Sequence, residues 1–315
     1  MDYIVKTPCG LLQGAAGRLP GTAAYKGIRY ATAGRWEYPT QVTSWEGTYD
    51  ATQYGSCSYQ PRAFYDEELN EKKYFYYNEF RKDASYTYSE DCLFLNVFTP
   101  DTAREGDKLP VLIYIHGGGY TGGCGHEKHF DGPVWPDKGV IGVTLNYRLG
   151  LMGFVCLPQL EEEAGHTGNY GLYDQMTAIK WVKDNIASFG GDPDNITIMG
   201  QSAGGASVQL QCQSPLTDGL FQRAVMSSGC GMGGMLMGKK RLQHGLLAGS
   251  NEPLRLQVPG RIPGSACREA LRGLEPVQER YQGRWHCRVP CYRRAFCGRR
   301  QPAQGYPLYG RFHQP

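Results

Sequence analysis

Nothing in the sequence constrains the fold more than the passage from Ile196 to Cys212. Ile196-Thr197-Ile198-Met199 reads as a buried strand, Gly200-Gln201-Ser202-Ala203-Gly204 follows without a spacer, and Ala203 to Cys212 suits a helix. A strand that turns directly into a helix crowds its own backbone. Glycines on either side of the turn relieve the clash and leave the central serine hydroxyl projecting above the strand end. The unpaired amides of the helix N-terminus then lie beneath that hydroxyl, so the Ala203 N–H is placed to receive a developing oxyanion.

A second glycine cluster, His116-Gly117-Gly118-Gly119-Tyr120, directly follows another apolar run, Val111-Leu112-Ile113-Tyr114-Ile115. Glycines there let two amides approach one small oxygen, and one such donor is worth about 2.7 to 4 kcal/mol in the transition state. The remaining pattern alternates β-type runs with helical ones. Val140 to Leu145 predicts a strand, and like Val111 to Ile115 it lacks the polar alternation of a one-sided sheet. Met176, Ile179, Val182 and Ile186 recur at helical spacing between Tyr173 and Phe189, and Gly190-Gly191-Asp192-Pro193 stops that run. Ala224-Val225-Met226 predicts a further strand. Before residue 110, Tyr25 to Tyr30 and Leu93 to Phe98 predict antiparallel strands that precede the parallel part. No internal repeat is visible.

With these motifs in place, the chain resembles the type-B, or cholinesterase-like, carboxylesterases of the α/β-hydrolase fold. The resemblance covers about residues 3–237. It rests on Glu90-Asp91-Cys92-Leu93-Phe94-Leu95-Asn96, the His116 to Gly119 loop, Asn146-Tyr147-Arg148-Leu149-Gly150 and Gly168-Asn169-Tyr170-Gly171-Leu172-Tyr173-Asp174-Gln175. Phe189-Gly190-Gly191-Asp192-Pro193, the serine turn and Met226-Ser227-Ser228-Gly229 complete it in family order. The resemblance implies an α/β fold with a mainly parallel central sheet, flanking helices and an incomplete C-terminal side. It implies a carboxylic ester hydrolase with Ser202 as acyl-forming nucleophile and the amides of Gly118, Gly119 and Ala203 as oxyanion hole, acting on a small-molecule ester and needing no cofactor or metal. A non-catalytic cholinesterase-like interaction protein is the alternative, but such relatives lose the nucleophile, and Ser202 is intact. The family places Glu before the serine, so Gln201 weakens any preference for cationic substrates. Cys57 and Cys92 match the positions of a family disulfide, although a reducing cytosol would keep them as thiols.

His116 is scaffold rather than base in this family, whose base follows the serine in the order Ser, acid, His. His126, His129 and His166 read as loop residues, and the sequon at Asn195 leads into a buried strand, which disfavours glycosylation. Between Tyr59 and Tyr88, ten of thirty residues are Tyr or Phe. By the resemblance this stretch covers the entrance above the serine and suits aryl or hydrophobic esters. A loop that packs its own aromatics accounts for it equally well.

Composition changes abruptly after Met237. Residues 1–237 carry a net charge of −8 and residues 238–315 a net charge of +11, with thirteen Arg and no Asp. Only 14 of those 78 residues are Leu, Ile, Val or Phe, too few for a core. The chain therefore divides into an N-terminal hydrolase part, 1–237, and an irregular Arg/Gly/Pro-rich tail, 238–315, which reads as translation in a wrong frame; a divergent tail is the other reading. No acid or histidine motif is identifiable there. Pairing His286 or His313 with Glu252, Glu269, Glu275 or Glu279 would satisfy the order but not the geometry of a triad. An esterase crippled by that loss is the expectation for this chain.

Thirteen arginines without a folded motif do not predict a nucleic-acid partner. Eleven cysteines show no repeated ligand spacing, and His286, Cys287, Cys291 and Cys297 contain no CxxC pair, so mostly free thiols are expected. No apolar run approaches the roughly 18 residues of a membrane span, so no membrane partner is expected. The start, Met1 to Thr7, has no basic segment followed by an apolar one, so a cytoplasmic protein without a signal peptide is expected.

Overall fold

The computed structural model describes residues 2–64, 66, 68–128 and 134–230. The proposed tail, 238–315, lies outside the described residues, as do its cysteines, histidines and glutamates and also His129.

Among the described residues, a seven-stranded sheet organises the fold. Its strands are β1 (Ala15–Ala16), β2 (Thr22–Arg29), β3 (Phe94–Pro100), β4 (Leu109–Ile115), β5 (Ile141–Leu145), β6 (Gly191–Gln201) and β7 (Arg223–Ser227). In space the order is β7-β6-β4-β5-β3-β2-β1. β5, β4, β6 and β7 run parallel, while β3 pairs antiparallel with both β5 and β2. The antiparallel strands thus precede the parallel ones in the chain, as the sequence predicts. A smaller sheet joins Ile4–Thr7, Gly10–Gln13 and Thr48–Asp50.

The apolar runs account for this layout. Every residue of β5 is buried, as a strand covered on both faces requires. In β4 burial alternates instead. Val111, Ile113 and Ile115 are buried, while Leu112 and Tyr114 are half-buried. The unbroken apolar run of β4 thus predicts more cover than this strand has on its second face.

Helix α1 (Tyr170–Asn185) starts three residues before the predicted point, after Asn169 at a φ of 59°. It packs Ala178, Ile179, Trp181 and Val182 into the core. A 3-10 turn, Ile186–Phe189, extends it, and Gly190 at a φ of 87° ends it by donating its amide to Ala187 O. The glycines predicted to stop the helix also begin β6, which is longer than Ile196 to Met199. Helix α2 (Ala203–Gln213) follows β6 at once. A buried ion pair fixes α1 to the loop after β5. Arg148 Nε and Nη2 donate to Asp174 Oδ2 and Oδ1 at 2.8 and 2.7 Å, and Arg148 N donates to Oδ2 at 3.0 Å. Among the described residues no helix is long and apolar enough to cross a membrane.

Candidate active site

Strand order brings the two glycine motifs together. β4 and β6 are parallel neighbours, with Ile115 opposite Gly200, so the loops leaving their C-terminal ends emerge side by side. Ser202 stands between β6 and α2 at φ 56° and ψ −124°. Those angles lie outside the common regions for a residue with a side chain, and such a conformation persists only where its surroundings enforce it. Here they do. Ser202 N donates to Ser227 O at 2.9 Å, and Ala206 N donates to Ser202 O at 3.0 Å. The side chain makes no capping hydrogen bond to α2, so its hydroxyl is not used in starting the helix.

The glycines are there because backbone passes close to backbone. A Cβ on Gly204 would lie 2.1 Å from Ile115 O. One on Gly117 would lie 2.5 Å from Gln201 O and 3.3 Å from the Ser202 Cβ, so the loop after β4 lies directly against the serine turn. Gly118, Gly119 and Tyr120 all have positive φ, at 105°, 62° and 60°. Ser202, Gly118, Gly119 and Ala203 are thus gathered at one end of the sheet.

Sequence reasoning missed how this loop is held. Gln60 grips it from both sides. Its Oε1 accepts from Gly123 N at 3.0 Å and its Nε2 donates to Gly123 O at 3.1 Å. Asn146 Oδ1 accepts from Gly125 N at 2.7 Å. The Tyr120 hydroxyl accepts from Ser207 Oγ at 3.3 Å, linking the loop to α2. An isolated Gln inside an aromatic stretch was the one visible signal, because a polar residue buried among apolar ones needs partners.

The histidines behave differently from one another. His116 is buried and stacked on Tyr147 at 4.4 Å, with Nδ1 2.8 Å from Gly117 O. Burial pulls its pKa down to about 4, and the Gly117 carbonyl only partly offsets this. It is scaffold, as expected. His166 stacks on Tyr38 at 4.0 Å. His126 departs from the expectation of an ordinary loop residue, being buried between the rings of Tyr54 and Tyr86. Asn195 opens the buried part of β6 and accepts a hydrogen bond from Arg223. Cys57 and Cys92 are buried free thiols rather than a disulfide.

Among its described residues the aromatic stretch takes short turns at Pro61–Ala63, Tyr74–Tyr76 and Tyr77–Arg81 and ends at the two-residue strand Tyr88–Ser89. Tyr74, Phe75 and Tyr76 are exposed, and Phe75 and Tyr76 contact each other and Phe80. Tyr59 and Phe64 instead pack on Met152. The stretch therefore has one outward and one inward group of rings.

A mixed sheet with a parallel core, a serine at the sharp turn after a central strand and a glycine loop against it define an α/β-hydrolase. Comparison with known sequences narrows the class. The carboxylesterase family matches residues 1–250, and the chain belongs to that family. It is 42% identical over 231 residues to the para-nitrobenzyl esterase of Bacillus subtilis (strain 168), covering 72% of this chain and 43% of that protein. It is 40% identical over 213 residues to the bile salt-activated lipase of Rattus norvegicus, covering 65% of this chain and 31% of that protein. A Geobacillus stearothermophilus carboxylesterase superposes with a TM-score of 0.68 at 32% identity, over 89% of this chain and 54% of that one. The chain thus spans less than half the length of these two curated relatives.

Proposed function

We propose that the protein is a serine carboxylesterase. Ser202 attacks an ester carbonyl, the amides of Gly118, Gly119 and Ala203 receive the oxyanion, and water releases the acid from the acyl-enzyme. The observation that supports this reading is the packing of Gly117 against the Ser202 turn, where a Cβ on Gly117 would lie 3.3 Å from the Ser202 Cβ. The esterase names of its relatives support the reaction class, and none of these relatives speaks for the non-catalytic alternative. His116 and His126 are buried in other contacts, so neither is proposed as the base. The outward rings of Tyr74, Phe75 and Tyr76 favour aryl or hydrophobic esters. The free thiols of Cys57 and Cys92 fit a reducing, cytoplasmic setting.

The test is hydrolysis of 4-nitrophenyl acetate by a gene product in which the family pattern continues beyond residue 237. The expected result is turnover that Ser202→Ala abolishes with an unchanged circular dichroism spectrum. Undiminished turnover in that variant would reassign the nucleophile. The 315-residue chain itself is expected to turn over poorly, since it offers no identified base.

A further inference from the structure

Cys57, Cys124 and His126 take no part in the acyl-transfer reading, yet the fold brings them together. The two sulfurs and a ring nitrogen of His126 all lie within 4.8 Å of one another, and all three residues are buried. Cys57 Sγ is 3.6 Å from His126 Nε2. Tetrahedral zinc, with bonds of about 2.3 Å to sulfur and about 2.0 Å to nitrogen, holds such a pair of donors about 3.5 Å apart.

The donors are also held in place. His126 is stacked between Tyr54 at 4.6 Å and Tyr86 at 5.3 Å, which fixes the plane of its ring. Cys57 belongs to the two-residue strand Cys57–Ser58, whose first amide donates to Thr87 O at 2.8 Å. Gly125, between the other two donors, is pinned by Asn146. Beside them lies the Arg62 guanidinium, its side chain 7% exposed, with Nη1 on Glu127 and with Nε and Nη2 unpartnered. It interacts electrostatically with both sulfurs. Two thiolates and a divalent cation sum to zero charge and leave the pairing of Arg62 with Glu127 undisturbed.

We infer that Cys57, Cys124 and His126 form a buried Cys2His site for a thiophilic divalent cation of the zinc type. Each thiol gives up its proton as a metal–sulfur bond forms, and the neutral imidazole donates its lone pair, so one cation replaces two protons. One tetrahedral position remains for water. Bound metal would join the start of the aromatic stretch to the end of the glycine loop, and the inference does not depend on Ser202 being the nucleophile. It does require Cys57 to be a thiol, which pairing with Cys92 would prevent.

The test uses Co2+ as a spectroscopic probe on the reduced 315-residue chain. The expected result is a thiolate-to-cobalt charge-transfer band that Zn2+ displaces, at least tenfold weaker binding in Cys124→Ser and in His126→Ala, and no change in Cys212→Ser, whose side chain is exposed. Alkylation of thiols at lysis followed by peptide mapping gives a second readout without any substitution. A band that survives in the Cys57→Ser/Cys124→Ser double variant would overturn the inference. So would the absence of a band in folded wild-type chain, or Cys57 recovered from cells in a disulfide.

Discussion

Ser202 keeps its unusual backbone only because neighbouring residues have no side chain in the way. Gly204 illustrates how tight the fit is, since the atom a Cβ would meet is the backbone oxygen of Ile115, which cannot rotate aside. Gly204→Ala is therefore expected to destabilise the chain by about 1 to 3 kcal/mol, read as a lower urea midpoint; an unchanged midpoint would mean that β4 and α2 can separate freely. His116 supplies a pH effect of definite sign. Its folded pKa of about 4 lies below the unfolded value. As pH falls from about 6.5 to 4, the unfolded chain takes up a proton that the folded chain refuses, and stability falls by up to roughly 3 kcal/mol. Above that window the residue contributes no slope. His116→Gln should flatten the corresponding part of the acid limb in urea denaturation series, and a slope equal to that of the wild type would show that His116 protonates freely. Both residues were visible in the sequence as motif members. The roles of Gln60 and of Asn146, itself a motif member, in holding the loop were not, because a clamp between positions so far apart in the chain leaves no local pattern.

Among the elements, the parallel strands were the most legible, since β5 and the Ile196 to Met199 part of β6 are written as compact apolar runs; the polar start of β6, Gly191 to Asn195, was not. The two-residue strands and the short turns of the aromatic stretch were illegible for the opposite reason. Tyr74, Phe75, Tyr76 and Phe80 follow neither period 2 nor period 3.6, and their rings meet one another instead of a sheet or helix face. β7 has its own consequence. It is the last strand of the described sheet on its side, and Arg223, Ala224 and Val225 are exposed there, Val225 to 44%. An apolar edge strand is a template for pairing with another chain. Val225→Lys should lower light scattering at high protein concentration without altering the far-ultraviolet spectrum, whereas unchanged scattering would place the association elsewhere.

At the level of the whole molecule, stability depends on links between segments distant in sequence. The buried pair of Arg148 and Asp174 is one, joining the loop after β5 to α1, and through Arg148 Nη1 also to Gly34 O at 3.2 Å. Asp174→Asn leaves the guanidinium without its counter-charge in the interior and is expected to cost about 3 to 5 kcal/mol, measurable by thermal or urea unfolding; a loss well under 1 kcal/mol would mean that water reaches Arg148. The cluster of Cys57, Cys124 and His126 is another such link. It was invisible in the spacing of the cysteines because 69 residues separate Cys57 from His126. The sheet order has a further consequence for how such a protein is made. Both glycine loops leave adjacent strands and, with the Ser227 carbonyl that holds the Ser202 amide, are complete by residue 227, while on the proposed reading the acid and histidine come from sequence further on. Ribosomes add about 5 to 20 residues per second, and N-terminal parts fold first. The serine and its amide cradle can therefore form while the proton acceptor is still unmade. On the proposed reading, a nascent chain of this topology would carry a shaped but chemically silent centre until the segment that supplies its proton acceptor is made.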